Sequence, residues 1–407
     1  MSWEYVALGE LYEVHNGLSK GGKFFGKGSP FLSFSTVFNK WFLPQELLDL
    51  VQSTDNEQQS YSILRGDVFV TRTSETMDEL GMSSVALKDY PHATYNGFTK
   101  RLRPINPERI LPEFIGYYLR TAVFRAGFTA FSTMTTRASL RNEDLLSMKV
   151  PVPDMQTQKH IASILSAYDN LIENNQKQIK LLEEAAQRLY KEWFVDLRFS
   201  GHETTPIVDG VPEGWRETCM DDICDSIGGG TPSTKSEEYY RDGQIKWVTP
   251  TDITRKSGLI LLDTEKKITE EGLHNSSAKM VPPYTILMTS RASVGFFGLC
   301  EYEVCTNQGF ISCIPHEESI RFYLLYNLMN RVDEIRAKAS GSTFLEISKK
   351  SFRGLKIIVP EAHILTQFNN IVRPMIRQME ILTKTIAKLR EARDRLLPKL
   401  MSGEIEV

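Results

Sequence analysis

The sequence predicts an α+β protein: two similar globular α/β domains joined by two long antiparallel coiled-coil helices, related by an internal pseudo-two-fold repeat. Three observations predict it. Short blocks recur in the same order in both halves of the 407 residues. Each half ends in a long heptad pattern, and between the blocks the halves differ freely in sequence and length, as loops carried on a shared scaffold do.

The blocks fix the duplication. Trp3 followed by Leu8-Gly9-Glu10-Leu11 matches Trp215 followed by Met220-Asp221-Asp222-Ile223 at an offset of 212. At the same offset Thr94-Tyr95-Asn96-Gly97-Phe98 matches Thr306-Asn307-Gln308-Gly309-Phe310. Val152-Pro153-Asp154 matches Val359-Pro360-Glu361 at an offset of 207, as Thr135-Thr136-Arg137-Ala138-Ser139-Leu140 matches Ser342-Thr343-Phe344-Leu345-Glu346-Ile347. One order kept twice means one scaffold used twice.

The helices follow from spacing. Ile161, Leu165, Tyr168, Ile172, Asn175, Ile179, Leu182, Ala186, Leu189 and Trp193 advance in alternating steps of four and three, the repeat of a coiled-coil seam. Phe368, Val372, Met375, Met379, Leu382, Ile386, Leu389, Arg393, Leu396 and Leu400 repeat the steps. Two phase-matched seams in one chain are expected to pair with each other, with Asn175 and Arg393 as polar positions that set register or lie open to water. Asp154 is placed to cap the first helix, which is expected to fade near Ser200-Gly201 before a Pro- and Gly-rich loop. At about 1.5 Å per residue, Ile161 to Trp193 spans roughly 48 Å, and the second half starts at the far end, so the second helix returns antiparallel. The expected boundaries are 1–153 and 214–360 for the domains, 154–200 and 361–407 for the helices, and 201–213 for the linker.

Composition narrows the function. A hydrophobic content of 41% and a charged content of 24% are those of a globular protein, and a net charge of −3 excludes binding of polyanions by bulk charge. Any nucleic-acid surface is therefore local. No signal-peptide pattern opens the chain and no apolar run approaches the roughly 18 residues of a membrane span, so a cytoplasmic protein without membrane contact is expected. Five cysteines, all in the second half, argue against a complete disulfide framework. Cys219, Cys224, Cys300, Cys305 and Cys313 read as thiols of strand-like segments rather than as a zinc site, and the seven histidines are scattered. No metal or cofactor is expected.

Gly21, Gly26 and Lys27 carry the spacing of a phosphate-cradling GxxxxGK loop, but Gly28 stands where Ser or Thr is needed for Mg²⁺. Phe31-Leu32-Ser33-Phe34-Ser35 then reads as a strand, not the helix such a loop must open. The glycines are read as a loop before that strand. It holds Lys20, Lys23, Lys27, Phe24 and Phe25 without an acid, which suits a nucleic-acid backbone as well as a solvated surface. No NPPY-type tetrapeptide, HExxH, nucleophile elbow or dinucleotide fingerprint occurs, and Val281-Pro282-Pro283-Tyr284 lacks the amide of the first. Catalysis by the chain alone is not expected.

In the second half "GGGTPSTKSEEYYRDGQIKWV" (228–248), "TILMTSRASVGFFG" (285–298), "TNQGF" (306–310) and "GSTFLEI" (341–347) precede a proline-led helix. In the first, "LGEL" (8–11), "GDVFVTRTSET" (66–76), "YNGF" (95–98) and "PVPDMQTQKHIASIL" (151–165) do so. This double set resembles the specificity subunits of Type I restriction-modification enzymes over nearly the whole chain. The resemblance implies a non-catalytic DNA-recognition subunit with two target-recognition domains, each reading one half of a split, asymmetric site in double-stranded DNA. It also implies that the paired helices act as a ruler and dock two methyltransferase subunits, which restriction/translocase subunits join, with S-adenosylmethionine and ATP handled by those partners. Met134 in place of a glycine, and Ile364-Leu365 in place of an acidic-glutamine pair, depart from the family's pattern.

Reading DNA takes Lys and Arg for phosphates and Arg, Ser, Thr, Asn or Gln for base edges. The candidates are Lys20, Lys23, Lys27, Arg72 and Thr73 in the first half, and Ser233, Thr234, Lys235, Ser290 and Arg291 in the second. Thr135, Thr136, Ser342 and Thr343 are expected to tie domain to helix, and Trp215 and Trp247 to belong to the core. The alternative is a coiled-coil adaptor whose globular halves bind protein rather than DNA.

Overall fold

The computed structural model describes residues 3–74, 80–131, 138–255, 258–341 and 344–407. Met134, Thr135, Thr136, Ser342 and Thr343 lie outside the described residues, as does the side chain of Thr73. The chain divides into two units, Met1–Leu171 with Leu389–Val407, and Ile172–Lys388.

In the first unit Val68-Phe69-Val70-Thr71 is buried at every position, which makes Val68–Thr71 an inner strand covered on both faces. It lies between Thr99–Pro104 and Ser83–Val85 in an antiparallel sheet closed by Tyr12–Asn16 beyond Thr99–Pro104. A second sheet sets Phe25–Leu32 between Leu50–Val51 and, in parallel, Thr94–Tyr95. Here the sequence reading is corrected in part: Gly26 and Gly28 lie within the strand, while Gly21 and Gly22 stay in the turn before it. Gly26 and Gly28 adopt φ of 87° and 106°, and the pairing with Val51 shifts between Phe25 and Ser29, a bulge. A Cβ on Gly28 would come within 2.5 Å of the Val51 carbonyl oxygen, so the close approach, not phosphate binding, requires that glycine. Ser33 is no strand residue either. Its hydroxyl accepts the Thr36 N–H and caps the helix Phe34–Asn39.

The second unit repeats the plan. Ile286–Thr289 lies between Phe310–Pro315 and Phe297–Gly298, with Cys224–Gly228 beyond Phe310–Pro315. Its second sheet has the order Lys266–Ile268, Ile245–Val248, Val304–Thr306, Met280–Val281, with the central pair parallel. Trp247 is buried there, its indole N–H donating to the Gly230 carbonyl at 2.9 Å. Four of the five cysteines are buried, and none forms a disulfide. Each unit also pairs an early strand with the strand that leads into a long helix: Glu4–Ala7 with Lys149–Val152, and Arg216–Cys219 with Lys356–Val359.

The long helices are Met155–Tyr190 and Ala362–Ser402. Asp154 caps the first, accepting the N–H groups of Gln156 and Thr157 at 2.9 and 3.0 Å. That helix stops earlier than expected, in a wide turn over Lys191–Val195. In the first unit Ile161 and Leu165 pack in one core with Leu397, Leu400 and Met401, and Asp169 pairs with Arg393. In the second, Tyr190 packs edge-on and Trp193 at a tilt against Phe368. Low numbers on one helix meet high numbers on the other, so the pairing is antiparallel. The seam positions are buried or half-buried throughout, but Ile376 and Leu397 are buried more deeply than Met375 and Leu396. A helix of 3.6 residues per turn drifts off a strict heptad, and the contact moves one position along.

Gln158 shows how the first helix is fixed to its domain. It is 1% exposed, accepts the Leu111 N–H at 2.7 Å and donates to the carbonyls of Pro153 and Arg109 at 2.8 and 3.2 Å. At the matching place in the second unit stands Leu365, lining a cavity of about 270 Å³ with Ile320 and Pro360. Gln158→Leu should therefore destabilise the first unit by about 2–4 kcal/mol, because it leaves buried backbone groups unpaired. Denaturant unfolding of the full chain reads this out, and a loss below about 0.5 kcal/mol contradicts it.

Candidate nucleic-acid interface

Three segments far apart in sequence meet in each unit. In the first, Gly17 and Leu18 donate to the carbonyls of Thr99 and Tyr95 at 3.3 and 2.9 Å, and the Arg72 N–H donates to Phe98 at 3.0 Å. In the second, Gly230 donates to Thr306 at 2.9 Å and Ser290 to Gly309 at 2.8 Å. A glycine-bearing segment, an Asn-led turn and the end of an inner strand thus form one edge in both. The turn is locked the same way twice, Asn96 Oδ1 accepting the Phe98 N–H at 2.7 Å and Asn307 Oδ1 the Gly309 N–H at 2.9 Å.

These bonds correct the sequence match by one residue. Asn96 corresponds to Asn307, so the exposed Phe98 stands where the second unit has Gly309, not Phe310. Sequence matching favoured the shared Gly-Phe pair; the structure aligns the hydrogen-bonding asparagines.

The candidates fall into different environments. Lys20 is held inside its unit, bonded to Glu57 at 2.7 Å and to the Gln52 carbonyl at 2.6 Å, and its ammonium holds the Glu57 carboxyl below its ordinary pKa. Lys23, in the turn Gly22–Phe24, and Lys27, on the strand that follows, are exposed with no ion-pair partner among the described residues, Lys23 lying 5.1 Å from the Phe24 ring centre. Arg72 is half-buried, its Nε enclosed and without a hydrogen-bond partner. In the second unit Ser233, Thr234 and Lys235 are exposed in the loop behind Gly230, which Thr231 pins by a hydrogen bond to Gln308. Ser290 is buried, its backbone bridging Gly309 and Ile347, and so presents no side chain to a ligand. Arg291 is exposed, 3.7 Å from the Glu346 carboxylate and 6.0 Å from the Phe344 ring.

Sequence reasoning missed part of this edge. Thr234 opens on a cavity of about 500 Å³ lined by Tyr240, Trp247, Lys266 and Lys267, whose lysines sit on a strand more than 30 residues along the chain. It also passed over the exposed Phe98, which it had only aligned with Phe310. The densest basic run, Lys100-Arg101-Leu102-Arg103, is the opposite case, a row of cations turned inward. Arg103 grips Asp67 with two bonds of 2.8 and 2.6 Å, and Arg101 donates to the Ser62 carbonyl at 2.7 Å.

The profile of the family described as "Type I restriction modification DNA specificity domain" matches twice, over residues 1–184 and 212–391. The chain belongs to this family. It is 26% identical to the Type I restriction enzyme MjaIX specificity subunit of Methanocaldococcus jannaschii, over 79% of this chain and 75% of that protein. The putative type I restriction enzyme MjaX specificity subunit of the same organism is 24% identical over 100% of this chain and 94% of its own. The solved structure of a Type-I restriction-modification system S subunit from M. genitalium superposes with a TM-score of 0.59 at 17% identity, covering 98% and 96% of the two chains. That likeness is one of fold. Among the described residues no helix is long and apolar enough to cross a membrane.

Proposed function

We propose that this chain is the DNA-reading specificity subunit of a Type I restriction-modification system. Its two units each read one half of a split, asymmetric site in double-stranded DNA, and its paired helices fix the spacing and dock the methyltransferase subunits, with restriction/translocase subunits joining them. The observation that carries this is the doubled edge: the same three segments converge in both units, both lie in matches to a DNA specificity domain, and their exposed side chains differ. A shared frame with unlike side chains is what two readers of unlike half-sites need. The chain supplies recognition, and methyl transfer, cleavage and ATP hydrolysis fall to its partners in the cytoplasm.

Within this reading Lys23 and Lys27 touch phosphates, and Thr234, Lys235 and Arg291 face the groove in the second half-site. Phosphate contacts release counterions, so replacing Lys23 and Lys27 with alanine should weaken binding to every sequence and lower the salt slope by up to about two. The experiment measures DNA affinity of the chain with its methyltransferase from low to high salt, beside a map of the adenines that complex modifies. A split target and a flattened slope are expected. Binding insensitive to salt, or modification without a split target, favours the adaptor whose globular halves bind protein.

A further inference from the structure

The first unit holds two cations that no acid answers among the described residues. Lys100 is 5% exposed on the strand Thr99–Pro104, and the one side chain that it bonds is the neutral amide of Asn142. Val70 lies opposite Lys100 across the sheet, and Arg72, two residues on, is tied by its N–H to the Phe98 carbonyl, which places Arg72 on the same face as Lys100. The Arg72 Nε is buried without a partner. Among the described residues neither side chain forms an ion pair. Burial, and then the nearby Arg72 guanidinium, push the Lys100 pKa down, as two uncompensated cations in one place require.

Proteins rarely keep such a pair, because a buried charge without a counter-charge is costly. The second unit shows that the fold does not need it. There the same pairing, Met288 opposite Ile311 followed by Ser290 bonded to Gly309, puts Ile311 and Ser290 in the places of Lys100 and Arg72. The pair also sits at the edge where the three segments meet. Phe98, 56% exposed, is directly opposite Arg72.

We propose that Arg72 and Lys100 are a preformed seat for one backbone phosphate of DNA, in the half-site read by the first unit and absent from the second. The inference rests on the DNA-reading function proposed above. A phosphate diester brings the missing negative charge and the acceptor oxygens that a guanidinium and an ammonium satisfy together. Phe98 lies beside the seat, against the sugar and base edge.

The test is Lys100→Met in the full chain assembled with its methyltransferase. A cation kept for DNA and against stability predicts changes of opposite sign. The unfolding temperature of the free chain should rise by about 2–4 °C. DNA affinity should fall about ten- to a hundredfold, and the salt slope by about one. Scanning the first half-site with uncharged methylphosphonates should find one position that weakens the wild-type complex and leaves the Lys100→Met complex unchanged. A lower unfolding temperature with unchanged salt slope would make Lys100 a structural residue and overturn the seat, as would a methylphosphonate profile identical in the two proteins. A wild-type complex without salt-dependent DNA binding would instead overturn the DNA-reading function itself.

Discussion

Asp169→Ala is expected to destabilise the first unit by about 2–3 kcal/mol. Asp169 gathers two partners, Arg393 Nη1 at 2.5 Å and the Tyr117 hydroxyl at 2.7 Å, and Arg393 lies 4.9 Å from the Trp41 ring. Removing the carboxylate leaves the buried Tyr117 phenol and Arg393 Nη1 unpaired, while Nε and Nη2 of Arg393 keep their bonds to the exposed Asp394 at 3.0 and 2.8 Å. The second unit makes the same junction without charge. Ile376 and Ala186 take the places of Asp169 and Arg393, both buried, and the Tyr326 hydroxyl is enclosed without a partner. Asp169→Ile with Arg393→Ala should therefore recover most of the stability that Asp169→Ala loses. Denaturant unfolding of the full chain and its variants measures this. A double variant no more stable than the single one would show that the pair is a surface contact of little weight.

Arg393 also illustrates what the sequence tells and what it withholds. Heptad spacing marked it as a polar residue in an apolar seam, but apart from the adjacent Asp394 it meets Asp169 of the other long helix and the ring of Trp41, far apart in sequence, and no local pattern joins them. The legible part of the fold was the repetitive part: the duplicated blocks, the seams of both long helices and the Asp154 cap are set by residues close in sequence. Around the glycines the reading failed, because Gly26 and Gly28 look like a loop unless the approach of Val51 is known. Ser33 looks like a strand residue until its hydroxyl is seen to close a helix turn.

Of the candidate residues, Lys23, Lys27, Thr234, Lys235 and Arg291 are exposed. Lys20 and Ser290 are consumed by Glu57 and by backbone pairing, which residue type alone does not disclose. Lys100 was hidden in a run of basic residues whose other members grip Asp67 and Ser62. Among the described residues, only the lack of an acid paired with it sets it apart.

The central claim is that two DNA readers are held at a distance set by the paired helices, and lengthening both helices tests it most directly. Seven residues of matching heptad pattern would be inserted between Asn174 and Asn175 in the first helix and between Lys388 and Leu389 in the second. A full heptad keeps each seam in phase, adds about 10 Å to the helix pair and turns its far end by only about 20°. Both insertions avoid the contacts each helix makes through Asp169, Glu183, Lys384 and Arg393. The measurement is a map of the adenines modified by the assembled methyltransferase complex. The account predicts unchanged bases in both half-sites and a spacer longer by about three base pairs, at about 3.4 Å per pair. An unchanged spacer, or altered half-site bases, would contradict it.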